Sequence, residues 1–260
     1  MNTIEAIGDY QLFASIVDRS ISELVDDNID KINRQSLFFK CSDLTHVDLP
    51  NVTRIGQEVF LECSGLTSIN LPALIHLGQM AFKQCVSLKN IILPSATEFD
   101  PKPFEGCTSL ESASLPVCTQ LAGSVFTGCT ALTNVDLPLI KQIEYAFWGC
   151  SSLVSVNMPT LTILGSNTFY GCKSIERLDL PLVETIKDNA LNGASNLKTL
   201  ILRTTAKVVT LYNATNSLPT SSFTTYVPDS LVDSYKEATN WSTYADRIKP
   251  LSELPAEEGA

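Results

Sequence analysis

Residues 63–84 read CSGLTSINLPALIHLGQMAFKQ. Ile69 and Leu71 alternate with Ser68 and Asn70, the period of a strand buried on one face, and Leu66 leads into it. Pro72 ends the strand because it has no N–H to continue a hydrogen-bonded ladder. Leu74, Leu77 and Phe82 then recur irregularly, through a stretch too short for a three-turn helix. That return segment is expected to be a 3₁₀ turn, extended chain or a single turn.

The same beat runs along most of the chain. Cys41, Cys63, Cys85, Cys107, Cys129, Cys150 and Cys172 are 22 residues apart, except for a gap of 21 between Cys129 and Cys150. Prolines 50, 72, 94, 116, 138, 159 and 181 form a second column, and phenylalanines 60, 82, 104, 126, 147 and 169 a third. Gly106, Gly128, Gly149, Gly171 and Gly193 stand just before the cysteine beat, where Ala194 takes the next turn. The unit is C-x-x-L-x-x-[IV]-x-L-P-x-[VLI]-x-x-[IL]-x-x-x-[AVTP]-F-x-G. A period in this range marks a leucine-rich-repeat solenoid, whose units bury their apolar faces only by stacking. The expected fold class is α/β: a right-handed solenoid with a parallel β-sheet along one face and short 3₁₀ or irregular return segments on the other. Eight strands would span roughly 35–40 Å. The missing residue of the fifth unit falls between Pro138 and Phe147, in the return segment, so strand register is kept.

Both ends lose the pattern, as solenoid caps do. Residues 1–40 are expected to form an N-terminal cap, with an amphipathic stretch over 1–19 and a decayed unit over 20–40 carrying Ile21, Leu24, Val25, Ile29, Ile32, Leu37 and Phe38. The repeats run over 41–202. Residues 203–260 form a C-terminal cap in which Tyr226 and Val227 make a last edge strand. Asp229 or Ser230 caps a helix through Ala238, Trp241, Tyr244 and Ile248 pack a short turn, and residues 252–260 fray. All three parts belong to one continuous solenoid domain.

Of the 260 residues 44% are hydrophobic and 18% charged, which excludes a disordered tail, and no apolar run approaches the roughly 20 residues of a membrane span. A net charge of −10 disfavours nucleic acid and anionic membrane as partners. Residues 1–19 lack the basic-then-apolar layout of a signal peptide. Sequons start at Asn51, Asn213 and Asn240, a number expected by chance in a Ser/Thr-rich chain. Seven evenly spaced cysteines cannot all pair, and without C-x-x-C or a histidine cluster they cannot ligate a metal at one point. They read as buried free thiols, with Cys118, off the beat, as another core filler. The two histidines, His46 and His76, occupy different slots with no nucleophile at a useful spacing, although Asp48 shares a strand face with His46. Phosphate-loop, H-E-x-x-H and G-x-S-x-G motifs are absent. The chain is therefore read as non-enzymatic, with no cofactor and no metal.

Two outward ladders on the strand face are the candidate binding residues. One reads His46, Ser68, Asn90, Ser112, Asn134, Ser155, Arg177, Thr199. The other reads Asp48, Asn70, Ile92, Ser114, Asp136, Asn157, Asp179, Ile201, with Arg177 and Asp179 as the expected specific contacts. This polar surface suits weak or multivalent binding of a glycan or a surface protein. A second candidate is the slot after the phenylalanines, Leu61, Lys83, Glu105, Thr127, Trp148, Tyr170 and Asn192, which is expected to be exposed. There Trp148 and Tyr170, with Tyr145 nearby, could stack on sugar rings.

The repeated C-x-x-L-x-x-I-x-L-P followed by A-F-x-G-C, over about residues 41–202, resembles the BspA-like, or Treponema-type, leucine-rich repeats of bacterial surface and secreted proteins. The terminal YVPDSLVDSYKEATNWSTYADRIKPLSE resembles a module that closes such arrays in gut bacteria and in phage or prophage proteins. The resemblance implies a curved parallel-sheet solenoid used for adhesion or binding, with a host, microbial or glycan surface partner and a cell-surface or secreted location. The alternative it implies is a structural or receptor-recognition component of a phage tail-like assembly.

Overall fold

A computed structural model describes residues 23–25 and 30–256. The expected amphipathic stretch over 1–19, together with Ile21 and Ile29, lies outside the described residues, as do residues 257–260. Each 22-residue unit makes one coil, with one strand on the front face. The front strands are Glu23–Val25, His46–Asp48, Ser68–Asn70, Asn90–Ile92, Ser112–Ser114, Asn134–Asp136, Ser155–Asn157, Arg177–Leu180, Thr199–Leu202, Thr224–Val227 and Ile248–Pro250. All pairing between them is parallel, and the register matches the sequence columns, as in His46↔Ser68 and Asn134↔Ser155. The decayed first unit joins the array through Glu23↔His46.

Pairing on this face runs in blocks of three, four and four strands rather than as one sheet. It lapses between Ser68–Asn70 and Asn90–Ile92, and again between Ser155–Asn157 and Arg177–Leu180. The inward residues beside these seams, Ile69 and Val156, are only half-buried, whereas Val47, Ile91 and Val135 are buried.

The return segment is more regular than the sequence suggests. It contains a second parallel sheet of two-residue strands, first Lys31–Ile32, Arg54–Ile55, His76–Leu77 and Glu98–Phe99, then Gln142–Ile143, Ile163–Leu164, Thr185–Ile186 and Thr210–Leu211. Between the two sets the fourth unit contributes only a bridge from Gln120 to Gln142. The reason for the return sheet is stacking: once the front strands fix the spacing, each extended dipeptide behind them meets its copy one coil away and satisfies its backbone groups there.

The core lies between these sheets and a turn at the coil's edge. Phe38, Phe60, Phe82, Phe104, Phe126, Phe147 and Phe169 are fully buried and stacked, with neighbouring ring centroids 5.0–5.8 Å apart. The cysteine column lies beside them, buried and free. Each thiol donates to the carbonyl of the phenylalanine one coil back, from Cys63 to Phe38 at 3.0 Å through Cys172 to Phe147 at 3.1 Å. Glycine precedes the cysteine in the later units because φ there is +73° to +75°. In the early units Lys40, Glu62 and Gln84 adopt the same left-handed region at +59°.

At the C-terminus, Thr224–Val227 is not the edge. Ile248–Pro250 pairs beyond it, Tyr226 facing Lys249 and Val227 facing Pro250. A charged lysine and a proline without a donor suit an outermost strand, since they discourage further pairing. The connection is a 3₁₀ turn, Asp229–Leu231, a one-and-a-half-turn helix, Val232–Glu237, and a 3₁₀ segment, Ser242–Arg247. Neither Asp229 nor Ser230 caps the helix; the Asp229 carboxylate instead accepts from the Ser252 backbone N–H at 3.1 Å. Residues 251–253 form a 3₁₀ turn rather than frayed chain. Among the described residues no helix is long and apolar enough to cross a membrane.

Candidate binding surfaces

The front strands bring both sequence ladders together as two parallel rows whose side chains bond along the rows, except that Ile201, at the end of the second, is fully buried rather than outward. His46 Nδ1 lies 2.7 Å from Ser68 Oγ, Ser112 Oγ donates to Asn90 Oδ1 at 2.7 Å, and Ser155 Oγ donates to Asn134 Oδ1 at 2.6 Å. In the second row Asn70 Nδ2 donates to Asp48 Oδ1 at 2.9 Å and Asn157 Nδ2 to Asp136 Oδ1 at 2.6 Å. His46 thus pairs with Ser68 rather than with Asp48. Residues two apart on one strand stand further from each other than neighbours across a ladder of roughly 4.8 Å spacing, so cross-strand partners win. The other histidine, His76, is on the back sheet with Nε2 3.3 Å from Asp100 Oδ2.

Arg177 and Asp179 do not stand alone. Asp179 is held in a forked pair by Arg203, at 3.0 Å from Nε to either carboxylate oxygen and 2.7 Å from a terminal nitrogen to Oδ2. That partner lies outside the ladders, one coil beyond, just after a front strand. A cleft of about 480 Å³ opens at the second front seam, walled by Val154, Val156 and Ile175, with Glu176, half-buried Arg177 and Asp179 along it. The seam that makes this cleft is invisible in the repeat columns, which continue unbroken through it.

The slot after the phenylalanines is less uniform than expected. Leu61, Lys83, Glu105, Thr127 and Asn192 are half-buried, and Lys83 pairs with Glu105 of the next coil at 3.2 Å. Trp148 and Tyr170 are exposed, at 44% and 37%. Their rings meet edge-on at 5.5 Å between centroids, and Tyr145 lies 6.4 Å from Trp148 on the other side.

The cysteines offer no reactive centre. Burial pushes the Cys107 and Cys150 thiols up to about 12 and Cys118 up to about 11. Among the described residues no group of three or more His, Cys, Asp or Glu side chains converges as a metal cradle.

Parallel coils, a thiol and phenylalanine spine and a polar open face define a leucine-rich-repeat solenoid. The chain belongs to the family described as BspA type leucine rich repeat region, whose model matches residues 30–144 and 119–231 in six copies. Twelve solved chains match its fold. One is a leucine rich cell surface protein from Faecalibacterium prausnitzii A2-165, 22% identical, covering 76% of this chain and 64% of that one with a TM-score of 0.53. Another is a leucine-rich repeat protein from Bacteroides ovatus, also 22% identical, covering 76% and 66% with a TM-score of 0.48. The chain thus spans about two thirds of the length of these solved relatives. No curated protein matches it in sequence.

Proposed function

We propose that this protein is a non-catalytic binding module that attaches to a protein or glycan on a cell surface through the open face of its front sheet, with the cleft beside Arg177 as the focus. The observation behind this reading is the seam between Ser155–Asn157 and Arg177–Leu180, where strand pairing lapses and a mostly polar face carries an apolar recess with an arginine on it. Arginine beside a desolvated recess is the kind of anchor that dominates interfaces. The ladder residues His46, Asp48, Ser68, Asn70, Asn90, Asn134, Asp136 and Asn157 extend along the same face on its N-terminal side, ordered in pairs by bonds across neighbouring strands. Such preorganisation lowers the entropy cost of binding a long polar partner. A surface location agrees with the description of the Faecalibacterium protein as a cell surface protein. The test is a glycan array combined with pull-down from host-cell and bacterial-surface extracts, using the natural protein and Arg177→Ala. Ligands captured by the first and lost or weakened with the second support the reading. Equal capture of every ligand by both proteins refutes it.

A further inference from the structure

We propose a second binding site, on the back of the solenoid, that takes an uncharged saccharide. It does not rest on the open-face reading. The back sheet is closed coil to coil by one repeated bond: Gly56 N–H to Ile32 O, Gly78 to Ile55, Asp100 to Leu77, then Gly165 to Ile143, Lys187 to Leu164 and Tyr212 to Ile186, at 2.6–3.0 Å. The two members between them, Ala122 to Phe99 and Glu144 to Leu121, are absent among the described residues. Coil-to-coil bonding thus lapses at residues 121 and 122, beyond the bridge at Gln120, and a groove of about 530 Å³ lies there, lined by residues of the fourth, fifth and sixth coils.

Three features give this groove a chemical character. Its lining joins amide and hydroxyl groups, from Gln120, Gln142 and Thr162, to one cation and one anion, Lys141 and Glu144, whose charges offset. Gly123 lines it without a side chain, and a Cβ there would meet no atom within 4 Å. Its rim carries the Tyr145 ring, continuous with Trp148 and Tyr170. Core packing does not account for these rings, because the phenylalanine stack fills the interior and all three are more than a third exposed.

A flat apolar ring beside hydrogen-bonding amides fits a pyranose, which has a C–H face and an equatorial belt of hydroxyls. The volume falls within the range of about 300–1,000 Å³ typical of small-ligand sites. The offset lining charges and the chain's net −10 favour an uncharged sugar over an acidic one. An added peptide strand fits less well. The bridge from Gln120 to Gln142 still holds the neighbouring coils one rung apart, and an inserted strand needs about twice the rung spacing of roughly 4.8 Å.

The chain has two tryptophans, and Trp241 is fully buried, so quenchable emission reports on Trp148. The experiment titrates the protein with methyl glucoside, galactoside, mannoside and N-acetylglucosaminide and their β-linked disaccharides. Sialyllactose, a heparin tetrasaccharide and a random extended-peptide pool are run in parallel. At least one uncharged saccharide is expected to shift Trp148 emission and protect it from acrylamide. Gly123→Leu, which adds a bulky side chain to the lining, and Tyr145→Ala, which removes the ring, should each weaken that binding about tenfold or more, while Arg177→Ala leaves it unchanged. Thermal unfolding confirms that Gly123→Leu is folded. The proposal is overturned if no uncharged saccharide registers, if acidic sugars or peptides bind in preference, or if Gly123→Leu binds at natural affinity.

Discussion

The Cys107 thiol donates a hydrogen bond of 3.2 Å to the backbone carbonyl of Phe82, 25 residues earlier. That same carbonyl accepts the Cys85 N–H at 3.2 Å, so both its lone pairs are used inside the core. The arrangement repeats from Cys63 to Cys172 and explains why cysteine, rather than alanine or valine, keeps the beat: it is small, apolar, and carries one weak donor.

Thiol chemistry should therefore be silent in the folded protein. With a disulfide reagent at neutral pH, few cysteines should react before denaturation and all eight after it. Rapid labelling of several column cysteines in the native protein contradicts this.

Alkaline pH should unfold the protein steeply. Burial holds Cys85, Cys129 and Cys172 well above the ordinary thiol range and puts Cys107 at about 12. The unfolded chain ionises its thiols near pH 8.5 while the folded one does not, so stability is full below that pH and is lost as pH climbs toward 12. Each such thiol removes up to about 1.4 kcal/mol per pH unit in that window. Melting curves between pH 7 and 11 measure the slope, and Cys107→Ala should make it shallower.

Phe104→Ala should cost about 3–5 kcal/mol, since it opens a cavity in the middle of a ring stack with Phe82 and Phe126 on either side. Chemical denaturation followed by circular dichroism gives the value. A loss under 1 kcal/mol shows that the coils collapse around the gap.

Glycines in different settings should respond differently to alanine. At Gly78 a Cβ would lie 2.4 Å from the Gly56 backbone, and the cost should be about 1–3 kcal/mol. At Gly171 there is room, and only the φ of +74° opposes a side chain, for about 1–2 kcal/mol. Gly123→Ala meets neither obstacle and should leave stability unchanged or raise it by up to about 1 kcal/mol. Melting temperatures of the three variants should fall in two classes, with Gly123→Ala alone near the natural value.

The C-terminal cap is tied to the last coils by buried polar bonds. Trp241 Nε1 donates to Val209 O at 2.7 Å, and the Tyr235 hydroxyl accepts the Val209 N–H at 3.1 Å. Trp241→Phe keeps the apolar ring but orphans the carbonyl, for an expected loss of about 1–3 kcal/mol. Calorimetry checks this. Tyr235→Phe, which orphans the Val209 N–H, should behave similarly.

Much of this was legible in the residues. The Cys, Pro and Phe columns fix coil length and stacking, and Ile69 and Leu71 beside Ser68 and Asn70 fix which strand face is buried. The return sheet was not legible, because a strand of two residues such as Arg54–Ile55 is too short for alternation to register. Nor could columns show where pairing lapses. Cys118 in a slot held elsewhere by Val52, Leu74 or Ile140 is the one local sign near the back groove, and its thiol turns to the Gln120 carbonyl of its own coil at 3.0 Å. The forked pair of Arg203 with Asp179 is not legible either, because Arg203 stands where the repeat pattern ends.

The phenylalanine and thiol spine also has a mechanical meaning. Each coil folds 22 residues, whose extended length is roughly 70–80 Å, into a single rung of about 5 Å. Pulled from its ends, such a chain resists through bonds that tie one coil to the next and then releases a coil's length at a time. Each coil that yields therefore exchanges a rung of about 5 Å for a length more than ten times greater.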